Sequence, residues 1–297
     1  MGRVAVITDS TADLAPEAAA AAGVQVIPLY VRFGDREYRD GVDITPERFW
    51  ELLLAPGAPF PTTAAPSPGA FLEAFRAAFG AGADAIVCPT IGSRLSGTFA
   101  SASVAARDLP GREIHLIDTG TTSMGTGLAA ILAGELAAEG RSGSEIAARV
   151  TARLAHLDLY VAVDTLTYLR RNGRLSAARA AIGSVLSIKP IITVREGEVI
   201  LAETPRTRSR ARDRAIELIS AQPVERLAFF YTPSSPREEI EAFRDRVVAA
   251  VPGGVDPRHV SIGLIGASTG PHLGPGMMGA VLLRRPEALA APGRGQP

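Results

Sequence analysis

Hydroxyl side chains gather in short polar loops of this chain, and general bases are scarce around them. The loops are Asp9-Ser10-Thr11, Gly92-Ser93-Arg94-Leu95-Ser96-Gly97-Thr98, Asp118 to Ser123, and the proline-bounded pair Thr62-Thr63. Hydroxyls together with helix N-terminal amides suit an anionic or carbonyl oxygen; they do not by themselves supply a nucleophile. Each Ser or Thr reads equally well as a cap of the helix that follows it. Asp9 and Asp13, four apart across a strand-to-helix turn, also read as caps, with Asp13 opening a helix that has Pro16 in its first turn.

Three catalytic patterns are incomplete. Leu95-Ser96-Gly97 lacks the leading glycine of a nucleophile elbow, and no triad order follows it. Gly125-Thr126-Gly127-Leu128-Ala129-Ala130 matches G-x-G-x-x-A, but its glycines stand several residues past the preceding strand and no acidic residue follows at ribose distance. Close helix packing explains those glycines better. Neither a Walker A loop nor paired magnesium carboxylates occur. Two arginine groups, Arg170, Arg171 and Arg174 around Asn172-Gly173, and Arg206, Arg208, Arg210, Arg212 and Arg214, read mainly as solvated charge. His272 lies in the glycine-dense loop Gly270 to Gly276, where backbone can approach a ligand closely.

The composition narrows the partners. The chain has 297 residues, 46% of them hydrophobic, and 31 basic residues balance 31 acidic ones. Zero net charge argues against a nucleic-acid footprint or a polybasic anchor. A single cysteine, Cys88, excludes a disulfide framework. His115, His156, His259 and His272 have no ligand spacing, so no metal is expected. The opening MGRVAVITDS carries no signal-peptide pattern, and apolar runs such as Leu128 to Ala138 are too short to span a bilayer. A soluble, cytoplasmic protein is the expectation. Lys189 is its only lysine, which reads as genomic bias.

The elements that must position these loops alternate in a βαβ rhythm. Strands are expected over Arg3–Thr8, Val24–Phe33, Ala85–Pro89 and Glu113–Ile117, with helices over Pro46–Leu54, Gly69–Phe79, Ser96–Arg107 and Met124–Ala138. Ala85–Pro89 is apolar throughout, as a strand buried on both faces of a parallel sheet would be. Ala55 to Pro68, with five prolines, is expected to have no regular structure. Parallel strands place ligands beyond their carboxyl ends, where three of the hydroxyl loops fall. After about His156 the rhythm changes. Strands Leu159–Val163, Lys189–Val194, Glu198–Glu203, Leu227–Tyr231, His259–Ile265 and Met277–Leu283 alternate with helices Thr165–Arg171, Ala177–Leu186, Arg208–Ala221 and Pro236–Val251, and Glu196-Gly197 predicts a hairpin. The fold class is therefore α/β: an N-terminal α/β/α domain with a parallel sheet over 1–157, and a C-terminal α+β domain with a mixed sheet over 158–286. Residues 287–297 read as a loose tail.

With these residues in view, the chain resembles the DegV family of bacterial fatty-acid-binding proteins from about Val4 to Leu283. The carriers are Val6-Ile7-Thr8-Asp9-Ser10-Thr11-Ala12-Asp13-Leu14, Asp40-Gly41-Val42-Asp43-Ile44, Pro61-Thr62-Thr63 with Pro66, and Ser93-Arg94-Leu95-Ser96-Gly97-Thr98. Gly173-Arg174-Leu175-Ser176, Ile188-Lys189-Pro190-Ile191 and His272-Leu273-Gly274-Pro275-Gly276 follow in order. The resemblance implies a long-chain fatty acid, such as palmitate, stearate or oleate, in a tunnel between the two domains. It implies Thr63 and Ser96 as carboxylate ligands, and His272, Arg206 and Arg174 in the head-group network or on a partner-docking face. It also implies an ATP-dependent fatty acid kinase partner that makes an acyl phosphate for phospholipid synthesis, with transient membrane contact and neither a cofactor nor a catalytic centre in this chain. The alternative is a small-molecule hydrolase using Ser96 and His272.

Departures from the pattern are Ala64-Ala65 in place of Ser-Gln, Asn172 in place of a glycine, and a longer segment from Ile262 to His272. There Ser268-Thr269-Gly270-Pro271 offers a second alignment; His272 is preferred because Met277–Leu283 then stays in register. About fifteen buried methylenes at about 0.8 kcal/mol each would contribute about 12 kcal/mol gross, enough to hold such a chain without a covalent bond. Its carboxylate would need donors, because an unpaired charge in an apolar tunnel is very costly.

Overall fold

A computed structural model describes residues 2–175, 188–233 and 236–286. In chain order the elements begin with β1 (Val4–Asp9), α1 (Pro16–Ala21), β2 (Val24–Ile27), β3 (Tyr30–Phe33), β4 (Arg36–Arg39) and α2 (Pro46–Leu54). Next come β5 (Thr62–Ala64), α3 (Pro68–Gly80), β6 (Ala85–Thr90), α4 (Thr98–Arg107), β7 (Glu113–Asp118), α5 (Met124–Ala138) and α6 (Gly143–Leu154). The second half holds β8 (Leu157–Ala162), α7 (Thr167–Arg171), β9 (Ile191–Arg195), β10 (Glu198–Glu203), α8 (Arg208–Ile219), β11 (Val224–Tyr231) and α9 (Arg237–Ala250). It closes with β12 (Val260–Leu264), α10 (Gly270–Leu273) and β13 (Met278–Arg284).

The N-terminal sheet is parallel throughout, in the order β2-β1-β6-β7. β6, buried at every position, lies between two neighbours as its unbroken apolar run requires. The C-terminal sheet is mixed, in the order β10-β9-β8-β13-β11-β12, with only the β11–β12 pair parallel. Glu196 and Gly197 join β9 to β10 with φ of 51° and 73°, the two positive values that a tight two-residue hairpin turn needs.

α5 is buried almost all round because it is packed on both sides. It touches β1, β2 and β6 of one sheet and β8 and β13 of the other. Side chains in the second sheet alternate accordingly. Leu159 and Val161 of β8 and Phe230 of β11 face the core shared with Met124, Leu128, Phe49 and Trp50. Tyr160, Ala162 and Phe229 face α8 and α9 on the opposite side.

Several expectations are corrected. Val24–Phe33 is two strands in two sheets, because Pro28 has no N–H to carry a ladder onward. The proline-rich stretch is partly regular: β5 pairs with β3, and β3 with β4, as a third, antiparallel sheet. Its register puts Thr63 opposite Val31, where an unpaired loop was expected. α6 was not foreseen, although Ser142 and Glu145 close a reciprocal capping box at its start. Asp13 does not cap α1. Ala15 precedes Pro16 without a side-chain bond, and Asp13 instead adopts a left-handed conformation with φ of 49°. The arginines of α8 are not merely solvated, since Arg208 pairs with Asp164, Arg212 with Glu239, and Arg214 with Glu203. Ser176, the helix expected over Ala177–Leu186, and the tail 287–297 lie outside the described residues. Among the described residues no helix is long and apolar enough to cross a membrane.

Candidate functional site

A narrow slot runs between the two halves of the molecule. Its apolar wall comes from the inward face of the second sheet, Leu159, Val161, Ile192, Val194, Val199 and Phe230, closed by Leu169 of α7. Ile91, Leu95 and Leu29 of the N-terminal half complete it. Hydroxyls from five separate segments border the same space: Thr11, Thr63, Ser96, Ser123 and Thr269. His272 and Arg174 join them.

Each polar group is placed by its loop. The turn after β6 is knitted by Gly92 N–H to Thr121 O at 2.8 Å and by Leu95 and Ser96 N–H to Gly92 O. Glycine at 92 allows this close approach, because a Cβ there would stand 3.0 Å from the Gly120 backbone. Ser96 then faces Thr98, with their hydroxyl oxygens 2.9 Å apart. Thr63 projects from β5, and its Oγ1 lies 3.0 Å from His272 Nε2. His272 sits on the single helical turn α10, not in an open loop. That turn is seated by Gly270, where a Cβ would meet the Phe49 ring at 2.3 Å, and by Trp50, whose Nε1–H donates to Ile265 O at 2.8 Å. Arg174 reaches the slot from beyond α7, held by Leu95 O at 3.3 Å and Asn172 O at 2.6 Å.

Burial holds the His272 pKa down at about 4, assisted by the positive charge of Arg174. The ring is therefore neutral near pH 7. Arg174 is then the charged side chain among the described residues that line the slot. The pairing that a hydrolase would need is absent from the described residues: Ser96 bonds Thr98, and His272 bonds Thr63. Arg206 does not line the slot; it stands exposed just before Thr207, the cap of α8.

A buried acidic network beside the slot was not foreseen as part of the site. Asp40 accepts from Ala267 N–H at 3.2 Å, from Ser268 N–H at 3.0 Å and from the Ser268 hydroxyl. Asp13 accepts from Gly266 N–H at 3.0 Å, and the Ser10 and Ser268 hydroxyls share a bond of 2.7 Å. Asp9 caps the following 3-10 turn through Thr11 N–H and also accepts from Ile91 N–H at 2.9 Å. Burial raises the pKa of all three acids, that of Asp13 to about 7. Loops more than 200 positions apart are thus tied together by buried carboxyls. Asp9, Asp13 and Asp40 each had a signal in the sequence, as members of motifs; the partners of Asp13 and Asp40 at 266–268 lie on the other half.

Comparison with known proteins places these observations in one group. A family model described as an uncharacterised protein of the DegV family matches residues 3–285. A DegV domain-containing protein of Streptomyces coelicolor is 37% identical over 286 residues, 95% of this chain and 99% of the relative. Among solved structures, a fatty-acid-binding DegV family protein from Thermus thermophilus is 33% identical with a TM-score of 0.86, covering 95% of this chain and 100% of the other. The fatty acid binding protein DegV from Bacillus subtilis is 29% identical with a TM-score of 0.85, covering 96% and 100%.

Proposed function

Because the chain belongs to the DegV family, we propose that it binds a long-chain fatty acid such as palmitate, stearate or oleate in the slot between its halves. The observation that carries this reading is the division of the slot wall: aliphatic and aromatic along one sheet face, with alcohols converging from separate loops. An alkyl chain lies along Leu159, Val161, Ile192 and Phe230, where each buried methylene contributes about 0.8 kcal/mol. The carboxylate rests at Thr63 and Ser96, hydroxyls that rotate to donate to it. Neutral His272 holds Thr63 in place and gains a proton more readily once an anion sits beside it. Arg174 supplies the fixed positive charge.

The chain presents the carboxylate to an ATP-dependent kinase partner, which forms the acyl phosphate used in phospholipid synthesis. The polar depression formed by Arg94, Ser96, Gly97 and Arg174 on the outer side of the Ser96 turn is the route by which that partner reaches the head group. Arg206, exposed and away from the slot, belongs to the docking face. Transient contact with a membrane loads the acid, in a cytoplasmic setting, and the slot divides a domain of residues 1–157 from one of residues 158–286. No nucleophile, cofactor or metal is required of this chain, because the reacting group is carried by the ligand.

Organic extraction and mass spectrometry of the purified protein test the reading directly, with C14 to C18 acids expected to co-purify. Ser96→Ala should reduce carboxylate retention or acyl-phosphate formation about tenfold with an unchanged melting temperature, since a charged hydrogen bond contributes about 1.5–3 kcal/mol. Unchanged values for both would remove Ser96 from the site.

A further inference from the structure

Two hydroxyls that border the slot have no partner, whereas those of Thr63 and Ser96 are already engaged. Ser123 is 1% exposed and Thr269 5% exposed, and neither Ser123 Oγ nor Thr269 Oγ1 has a hydrogen-bond partner among the described residues. Both border the slot, Ser123 from the loop after β7 and Thr269 from the loop after β12. A buried hydroxyl without a partner is costly and seldom kept without use.

The backbone adds to this. Ser123 occupies the N-cap of the fifteen-residue helix α5 and is a residue type that favours that position, yet it makes no capping bond. It has φ of 54° and ψ of −146°, a left-handed-side conformation that L residues other than glycine adopt only under constraint. The hydroxyl is thereby unused by its own helix. Thr269 likewise begins α10 without a capping bond. Behind them Asp13 offers a third unpartnered atom, Oδ2, while its Oδ1 is fixed by Gly266 N–H. Both hydroxyls approach the Asp13 carboxyl closely enough to lower its pKa as weak donors, though not in good hydrogen-bond geometry, and burial outweighs them, so that much of Asp13 stays protonated near neutral pH. A protonated Asp13 can donate to a hydroxyl that in turn donates outward into the slot.

We propose that Ser123 and Thr269 donate hydrogen bonds to the carboxylate of the bound fatty acid at the N-terminus of α5, so that the head group is gripped by four alcohols from both halves. A carboxylate has about four lone-pair sites, which two hydroxyls cannot fill. The helix end favours negative charge there. The assignment rests on reading the slot as a fatty-acid site.

The test uses the full-length, delipidated protein with palmitate and methyl palmitate as probes. Ser123→Ala, Ser123→Gly and Thr269→Val should each weaken palmitate binding about tenfold and methyl palmitate binding less than twofold. Melting temperatures of the unliganded variants should be unchanged, or raised for Ser123→Gly, which relieves the strained φ. Palmitate affinities within twofold of wild type in all three variants would overturn the assignment, as would equal losses for acid and ester, which signal a collapsed slot. Failure of the wild-type protein to bind palmitate would instead overturn the fatty-acid reading beneath it.

Discussion

Thr63 and His272 share a 3.0 Å hydrogen bond across 209 positions of sequence, and the chemistry of the slot turns on the protonation of that pair. Burial and the charge of Arg174 hold the imidazole neutral in the ligand-free chain, with its pKa at about 4. A bound carboxylate reverses the sign of the local field. Fatty-acid loading should therefore move the His272 titration upward by at least one unit, with proton uptake on binding between about pH 4 and 6.5. The Cε1–H resonance of His272, followed against pH with and without palmitate, checks this. An unmoved titration places the carboxylate elsewhere. His272 itself was legible as a member of the glycine-dense loop. Its neutrality was not, because it depends on burial and on an arginine from a different loop.

At the scale of elements, segments with a strong local composition or turn signal are legible in the sequence. Met124–Ala138 and Glu198–Glu203 coincide with α5 and β10 from end to end. The elements missed share a weak local signal. β4 reads Arg-Glu-Tyr-Arg and lies largely exposed at a sheet edge, and β5 is three residues set among prolines. α6 is a different case: its capping box and the spacing of Ile146 and Val150 would have found it. Elements also differ in what they contribute. Ser142→Ala should cost about 1 kcal/mol of stability and leave palmitate affinity unchanged, since its box stands at the surface far from the slot. Gly270→Ala should cost about 1–3 kcal/mol and also weaken binding, because the added Cβ pushes α10, and His272 with it, off Phe49. Chemical denaturation and palmitate titration of both variants distinguish the two roles. Equal binding losses would mean that α10 does not position the head-group site.

For the whole molecule, the two halves are joined through buried acids and through α5, which belongs to both cores. Glu135 of α5 pairs with Arg226 of β11 at 2.7 Å. Asp13 and Asp40 reach the backbone of residues 266–268 from the N-terminal half. Because burial raises the Asp13 pKa from 3.8 to about 7, the folded state keeps a proton over that window that the unfolded chain has released. Asp13 therefore contributes a fall in stability as pH rises from about 4 to 7, by up to about 1.4 kcal/mol per pH unit for one full proton, opposed between about pH 4 and 6.5 by His272, whose lowered pKa gives the reverse slope. Asp9 and Asp40 are shifted in the same direction and add to the slope. Asp13→Asn retains an acceptor for Gly266 N–H and should flatten the fall and raise stability at pH 8. Urea unfolding from pH 5 to 8 measures it, and an unaltered slope would show that Asp13 ionises freely in the fold.

Amino-acid order alone was enough for the α/β rhythm, the change to a mixed sheet after about residue 156, the Glu196-Gly197 hairpin and the set of hydroxyl-bearing loops. These follow from periodicity and turn chemistry, which act over a few residues. Which hydroxyl is bonded and which is left open, why Asp13 supports a distant loop instead of capping its own helix, and why Arg206 stands outside the slot depend on contacts between segments up to 258 residues apart. Those contacts arise when two sheets close on α5, and burial then sets the protonation of groups whose types were plain from the start.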